Sequence, residues 1–140
     1  MVAHDRAPAA VNAALLVGHA TLRAGAMDEF DRPASDREIA AMRGVLADSL
    51  AAGAFGFSTG LEYAPAKAAP TAEIIGVAEA LSGTGAVYTT HTRDYSKDID
   101  AAMEEAFLIG REAGARVILS HHQGDGPRNY GHSPRTLARY

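Results

Sequence analysis

The chain has 140 residues, a formal net charge of −4 and no cysteine. This length suffices for one domain with a buried core, and the lack of cysteine excludes disulfides and thiolate metal ligands within the chain. The mildly negative charge, without a basic stripe, argues against nucleic acid as a partner. No apolar run approaches the roughly 20 residues that span a bilayer. Residues 1–10 lack the apolar core of a secretory signal, so we expect a cytoplasmic protein without a membrane partner.

Four short apolar runs alternate with helical patterns. The runs cover residues 13–17, 54–58, 86–90 and 117–120. Apolar runs of this kind, with helices between them, predict parallel strands that are buried on both faces. The expected fold class is therefore α/β.

Three helices are predicted between these runs. A capping-box pattern, Ser35 with Glu38, opens the first helix, and the segment before it is predicted to be a loop. The second helix ends at Gly83, and the third lies between Asp98 and Gly114. Three acidic residues are predicted to form the solvated side of the third helix: Glu104, Glu105 and Glu112.

Histidines follow the third and fourth runs, His91 after one and His121 after the other. Because successive strands of a parallel sheet point the same way, residues just past their ends lie on one face. Neutral imidazole is a strong ligand for zinc-type ions. The pair predicts a divalent metal that activates a water for attack on a carbonyl. His122 would point to the other side, but periodicity does not decide which of the two neighbours faces the site.

Other interpretations of these residues stay open. Both histidines could be hydrogen-bonded and inert, and His19 is expected to be structural. Arg93 and Asp94 could orient a ligand or pair with each other. The chain could also be a non-catalytic segment that associates with other chains and covers an open sheet edge.

A serine-hydrolase motif is also present. Gly56-Phe57-Ser58-Thr59-Gly60 matches the G-x-S-x-G nucleophile elbow. That elbow requires a helix immediately after the serine, and the following residues, which include Pro65, are poor helix formers. This context makes the motif the weaker interpretation, and a serine hydrolase is kept as the alternative function.

Four segments carry a familiar pattern in a fixed order: GHATLR at 18–23, GAFGFSTGL at 53–61, YTTHTRD at 88–94 and SHH at 120–122. Together they resemble the N-acyl-D-amino-acid deacylases (D-aminoacylases) of the metal-dependent amidohydrolase superfamily. The likeness runs from about Val11 to Leu137. It implies a (β/α)₈ TIM-type barrel that hydrolyses N-acyl-D-amino acids to a carboxylate and a D-amino acid.

The resemblance also implies roles for three residues. In this family, histidines at the ends of the fifth and sixth strands bind zinc, and His91 and His121 match them. A tyrosine in a Gly-Leu-x-Tyr segment helps to hold the substrate, and Tyr63 matches it. The expected partner is thus a small N-acyl amino acid.

The chain is shorter than such a barrel, which takes about 250 residues. We expect residues 1–140 to form a single partial barrel domain of about four β/α units, roughly strands three to six. The family's upstream His-x-His pair, upstream cysteine and downstream aspartate have no counterparts here. The isolated chain is therefore expected to be inactive or nearly so, with self-association through its open sheet as a further expectation.

Two positions depart from the family pattern. Gln123 stands where a lysine usually follows the two histidines, and Tyr95 stands where an acidic residue usually follows Arg-Asp. Loss of the lysine would remove a cation near the substrate, so the chain could be a related deacylase with altered substrate preference or a decayed copy.

Overall fold

The computed structural model describes residues 10–139. Its four strands form one parallel sheet in the order in which they occur along the chain. The strands are β1 (Leu16–Gly18), β2 (Gly56–Gly60), β3 (Val87–His91) and β4 (Arg116–Leu119). The predicted α/β architecture is confirmed. Among the described residues, no helix is both long enough and apolar enough to cross a bilayer.

Within residues 10–139, five α-helices accompany the sheet, with short 3-10 helices at Glu79–Leu81 and Pro127–Asn129. The α-helices are α1 (His19–Ala26), α2 (Asp36–Ala51), α3 (Thr71–Ala78), α4 (Ile99–Ala113) and α5 (Ser133–Leu137).

Helix α1 lies in the segment before Ser35, for which the sequence predicts a loop. The helix begins directly after β1, and Gly18 at its N-cap makes no side-chain capping bond. The usual start signals are therefore missing from the sequence. What stabilises α1 is the burial of His19, Leu22 and Arg23 against the rest of the fold, and local patterns do not reveal such burial.

The predicted start of α2 and the predicted bounds of α4 are confirmed, whereas α3 ends at Ala78, before the predicted Gly83, and a 3-10 helix follows it. The Ser35 hydroxyl accepts the Glu38 amide, and the Glu38 carboxylate accepts the Ser35 amide, which completes the capping box of α2. Gly114 ends α4 in the left-handed conformation, at a φ of 61°. Asp98 occupies the N-cap of α4 without a side-chain bond. The Asp94 carboxylate accepts the Asp98 amide instead.

The hydrophobic core lies between one face of the sheet and the helices. It includes Phe57 of β2 and Tyr88 of β3, whose rings stack with centroids 6.0 Å apart. Side chains alternate along a strand, so Leu16 and Ile118 belong to the opposite face, and both remain exposed. The helices thus cover one side of the sheet and leave the other side accessible.

Candidate metal centre

His91 and His121 meet at the carboxyl edge of the sheet. His91 is the last residue of β3, and His121 lies two positions beyond the end of β4. Because Thr90 pairs with Leu119 in parallel register, both strands end at the same edge. The two imidazole rings have centroids 4.6 Å apart and planes inclined by 59°. The structure therefore brings together the two histidines that the sequence predicted as ligands.

The His91 ring has a nitrogen free for a ligand. Its Nδ1 is buried and has no hydrogen-bond partner among the described residues. An unsatisfied buried polar atom costs about 1–3 kcal/mol, and a bound cation would remove that cost. Two adjacent imidazoles are suitable donors for a zinc-type ion. In residues 10–139, however, no group of three or more His, Cys, Asp or Glu residues could hold a metal, so the pair is only part of a normal ligand set.

His122 points away from this pair. Its Nε2 lies 2.9 Å from the Thr136 hydroxyl of α5, whereas the His121 ring faces His91. The sequence left open which of the two neighbouring histidines faces the site. The structure places His121 there.

Two tyrosines flank the histidine pair. The Tyr63 ring, 57% exposed, lies with its centroid 6.4 Å from that of His91. The Tyr95 ring is buried and lies at the same centroid distance from His121. Its hydroxyl accepts the Thr92 amide at 3.0 Å. The sequence marked Tyr95 only as a departure from the family pattern, and its packing against His121 was missed.

Arg93 and Asp94 do not pair with each other. Arg93 forms a bidentate ion pair with Glu105 of α4. The prediction that Glu105 is solvated is wrong, because only 10% of its side chain is exposed. Hydrogen bonds from Arg93 to the Glu105 carboxylate raise the pKa of Arg93 above its usual value. Burial opposes ionisation of Asp94, but the backbone amides of Ser96 and Asp98 hold its pKa below the ordinary range.

A second polar group, which the sequence did not reveal, is fully buried between helices α1 and α3. Oε1 of Glu73 in α3 accepts a hydrogen bond from Nη1 of Arg23 and lies 3.1 Å from Nε2 of His19. Its other oxygen accepts the Ala34 amide at 2.8 Å. Arg23 also donates to the carbonyl of Arg32. His19 is therefore structural, as expected. The sequence feature that could have indicated this buried group is a carboxylate in the first turn of an apolar helix.

The charge of this buried group is balanced. Burial raises the pKa of Glu73, but the bonds from His19, Ala34 and Arg23 outweigh it, and the net pKa lies below the ordinary value. An ionised Glu73 thus offsets the charge of Arg23 inside the protein.

Ser58 does not sit at a nucleophile elbow. It lies in the middle of β2, and its hydroxyl is 3.5 Å from the Val17 carbonyl. The next α-helix does not begin until Thr71. The strand–turn–helix geometry that a serine nucleophile requires is absent from this segment.

Known proteins provide the context for this geometry. No family model matches the chain. The chain is 57% identical over 131 residues to N-acyl-D-aspartate deacylase from Alcaligenes xylosoxydans xylosoxydans, a match that covers 93% of the chain and 26% of the relative. It is 52% identical to the D-aminoacylase of the same organism, and this match covers 93% of the chain and 27% of that relative. It is 44% identical to the N-acyl-D-glutamate deacylase of that organism, with 91% and 26% covered.

Solved structures show the same likeness. The crystal structure of D-aminoacylase, described as defining a subset of amidohydrolases, matches with a TM-score of 0.93 at 50% identity, covering 96% of this chain and 28% of that one. N-acyl-D-glutamate deacylase from Bordetella bronchiseptica, complexed with zinc and a phosphonate inhibitor, also gives 0.93, at 40% identity, with 99% and 29% covered. The chain spans about a quarter of the length of these relatives. The expectation of a partial amidohydrolase barrel is confirmed at the level of fold class. By sequence and by fold, the chain corresponds to one segment, about a quarter, of the N-acyl-D-amino-acid deacylases (D-aminoacylases).

Proposed function

We propose that this chain forms part of the active site of a metal-dependent N-acyl-D-amino-acid deacylase. Such an enzyme hydrolyses the amide bond of its substrate to a carboxylate and a free D-amino acid. The observation that carries the proposal is the pair of imidazoles, 4.6 Å apart at the carboxyl edge of a parallel sheet. In α/β barrels this edge is where catalytic groups collect.

The four strands are proposed to be strands three to six of a (β/α)₈ barrel, with residues 1–140 as one partial domain. Two observations support this assignment. The strands are parallel and adjacent in chain order, and the relatives are about four times as long as the chain. A cytoplasmic location stays a prediction of the sequence.

His91 and His121 are proposed as two ligands of a zinc-type ion. The N-acyl-D-glutamate deacylase was solved with zinc, and a binuclear metal centre has been described for D-aminoacylase. When bound, such an ion polarises the scissile carbonyl and lowers the pKa of water. The two histidines hold their rings at the sheet edge, where the buried Nδ1 of His91 is available for a ligand.

The isolated chain is proposed to be inactive or nearly so. Zinc sites normally use three or four protein ligands, and the described residues bring only two histidines together. Further ligands and a general base would have to come from outside this segment.

Tyr63 and Gln123 are proposed to contact the substrate side of the centre. The exposed phenol of Tyr63, beside His91, is suited to donate a hydrogen bond to a substrate oxygen. Gln123 is exposed two positions after His121. Its neutral amide offers hydrogen bonds but no cation, so a weaker hold on an anionic substrate group is expected than with lysine.

A segment exchange tests this function. Residues 11–137 would replace the matching segment of the 52%-identical D-aminoacylase, and release of amine from N-acetyl-D-amino acids would be measured with and without zinc. We expect metal-dependent hydrolysis. We also expect it to fall roughly a hundredfold or more with His91→Ala or His121→Ala, because loss even of groups that only orient ligands costs 10- to 100-fold.

His122→Ala is the matched control, because that imidazole contacts Thr136 rather than His91. Its activity should stay close to that of the parent hybrid. A hybrid that folds and binds zinc but hydrolyses none of these substrates would contradict the proposal.

The serine-hydrolase alternative has its own test. A fluorophosphonate probe should leave Ser58 unlabelled, since the residue lies within a strand. Labelling that disappears in Ser58→Ala would support the alternative instead.

A further inference from the structure

We propose that Arg93 is a positioning residue that holds the Tyr63 loop (residues 61–70) against the strand end carrying His91. Arg93 lies two positions beyond His91, and Tyr63 projects from a loop between β2 and α3. The proposal rests on the proposed function, in which Tyr63 contacts substrate beside the metal ligand. A network of hydrogen bonds joins the loop to the strand end and supports the proposal.

The guanidinium of Arg93 uses all three of its nitrogens. Nη1 donates to the carbonyl of Lys67 at 3.1 Å, and Nη2 donates to the carbonyl of Ala69 at 2.9 Å. Nε and Nη2 donate to the two oxygens of Glu105 at 2.9 and 2.8 Å. A planar fork with several fixed donors is the property that separates arginine from lysine. Arg93 thus binds the backbone of the Tyr63 loop and helix α4 at the same time.

Hydrogen bonds inside the loop carry this contact to Tyr63. The amides of Ala66 and Lys67 both donate to the Tyr63 carbonyl at 2.9 Å. The Lys67 carbonyl therefore accepts a hydrogen bond from Arg93, and the Lys67 amide donates one to the Tyr63 carbonyl. At the other end of the loop, the Leu61 amide donates to the His91 carbonyl at 3.2 Å. Both ends of the loop are thereby tied to the strand that ends at His91.

Glu105 is held in place from a second side. The Thr71 hydroxyl donates to Oε1 of Glu105 at 2.7 Å, and only 10% of the Glu105 side chain is exposed. The carboxylate is thus a fixed anchor for Arg93. A lysine at position 93 would keep the charge, but it could not satisfy the carboxylate and two carbonyls in one plane.

The position of Tyr63 can be read directly by ¹⁹F NMR. The chain would be labelled with fluorotyrosine, and Tyr63→Phe would assign the Tyr63 resonance. We expect Arg93→Gln to shift this resonance toward that of an exposed, unstructured tyrosine while the resonance of buried Tyr88 stays in place. Arg93→Lys should give a smaller shift in the same direction. Arg43→Gln is the matched control, because it removes an ion pair with Glu79 outside the loop.

Limited trypsin digestion gives a second reading. Cleavage after Lys67 should accelerate on the order of tenfold or more in Arg93→Gln, because loss of charge-assisted hydrogen bonds raises the population of the open loop. Arg43→Gln should leave this rate unchanged. In the hybrid enzyme, Arg93→Lys should raise KM more than it lowers kcat, since Tyr63 is misplaced while the metal ligands remain.

A purely structural Arg93 would give a different result. Arg93→Lys and Arg93→Gln would then lower Tm but leave both the Tyr63 resonance and Lys67 cleavage in the folded chain as in the parent, which would overturn the proposal. If Arg93→Gln does not fold, Glu105→Gln and Arg93→Lys provide the same comparison. The NMR and proteolysis readings need no metal. They therefore separate a failure of this proposal from a failure of the deacylase assignment, which only the hybrid tests.

Discussion

The imidazole rings of His91 and His121 lie with centroids 4.6 Å apart, although His91 ends β3 and His121 follows β4. The sheet explains this distance. Strands β3 and β4 are hydrogen-bonded neighbours, with the Ser120 amide donating to the Thr90 carbonyl at 2.9 Å. Neighbouring strands lie about 4.8 Å apart, so side chains leaving the same edge meet at roughly that spacing. The ligand pair therefore depends on parallel pairing, which brings both strand ends to one edge, and on how the chain leaves β4, because His91 lies one position past Thr90 whereas His121 lies two positions past its partner Leu119.

Zinc binding by the isolated chain should depend on this pair. We expect weak 1:1 binding, since two ligands fall short of a full set. Competition with a chromophoric zinc indicator would measure it. His91→Ala or His121→Ala should abolish binding, whereas His122→Ala should retain it. Equal binding by all three variants would show that the metal site lies elsewhere.

Glu73 is expected to be essential for stability. Glu73→Gln would leave the Arg23 guanidinium buried without its counter-charge, and breaking a buried pair in this way costs about 3–5 kcal/mol. Urea unfolding followed by circular dichroism would measure the loss. Glu79→Gln, just beyond the same helix, is the control. It breaks a solvent-exposed pair with Arg43, and such a loss costs about 0–1 kcal/mol. Similar values for the two variants would contradict this assignment.

Glu38 is expected to make the free energy of unfolding depend on pH in the acidic range. Hydrogen bonds from Arg32, and then from the Ser35 amide and hydroxyl, hold the pKa of Glu38 well below its ordinary value of 4.5. The unfolded chain therefore takes up a proton at this site first. The stabilisation is present above pH 4.5, and it is lost as the pH falls toward the lowered pKa of the folded state. Unfolding measured at several pH values should give a flatter profile for Glu38→Gln. Parallel profiles would count against the ion pair with Arg32.

Substitution of two helix glycines by alanine should change the free energy of unfolding in opposite directions. Gly44 in α2 has open space where a Cβ would lie, so Gly44→Ala should raise the free energy of unfolding by about 0.5–1 kcal/mol. At Gly110 in α4, a Cβ would lie 2.1 Å from Cγ2 of Val117 in β4. Gly110→Ala should therefore lower stability by about 1–3 kcal/mol. Thermal unfolding of both variants would check the contrast, and a stabilised Gly110→Ala would show that α4 can move away from the sheet.

The isolated chain is expected to self-associate as its concentration rises. Strands β1 and β4 are the outermost strands, and within residues 10–139 neither has a strand on its outer edge. Exposed edges and apolar sheet surface favour pairing with other chains. Sedimentation velocity should show oligomers that dissociate on dilution. Ile118→Lys, which places a charge at a 48%-exposed apolar position, should weaken them. A monomer at every concentration would contradict the expectation.

Local patterns in the sequence predicted most of the elements. Alternating apolar runs and helical stripes indicated the four strands and three of the helices. The Ser35 and Glu38 pattern indicated the start of α2, and Gly114 indicated the end of α4. These features depend on residues only a few positions apart, so the sequence contains their full cause. The histidine pair was also predictable, because parallel strands direct their ends to one edge.

Contacts between distant segments were decided only by the tertiary structure. Helix α1, the burial of Glu73 and the pairing of Arg93 with Glu105 were not predicted. Each depends on groups that are close in space but far apart along the chain. A charged residue on a helix is predicted to be solvated unless its partner is known. The choice of His121 over His122 has the same origin, since it depends on how the chain leaves β4. The sequence by itself determined the elements and the kind of ligand, whereas packing determined which side chains face the site and what holds them there.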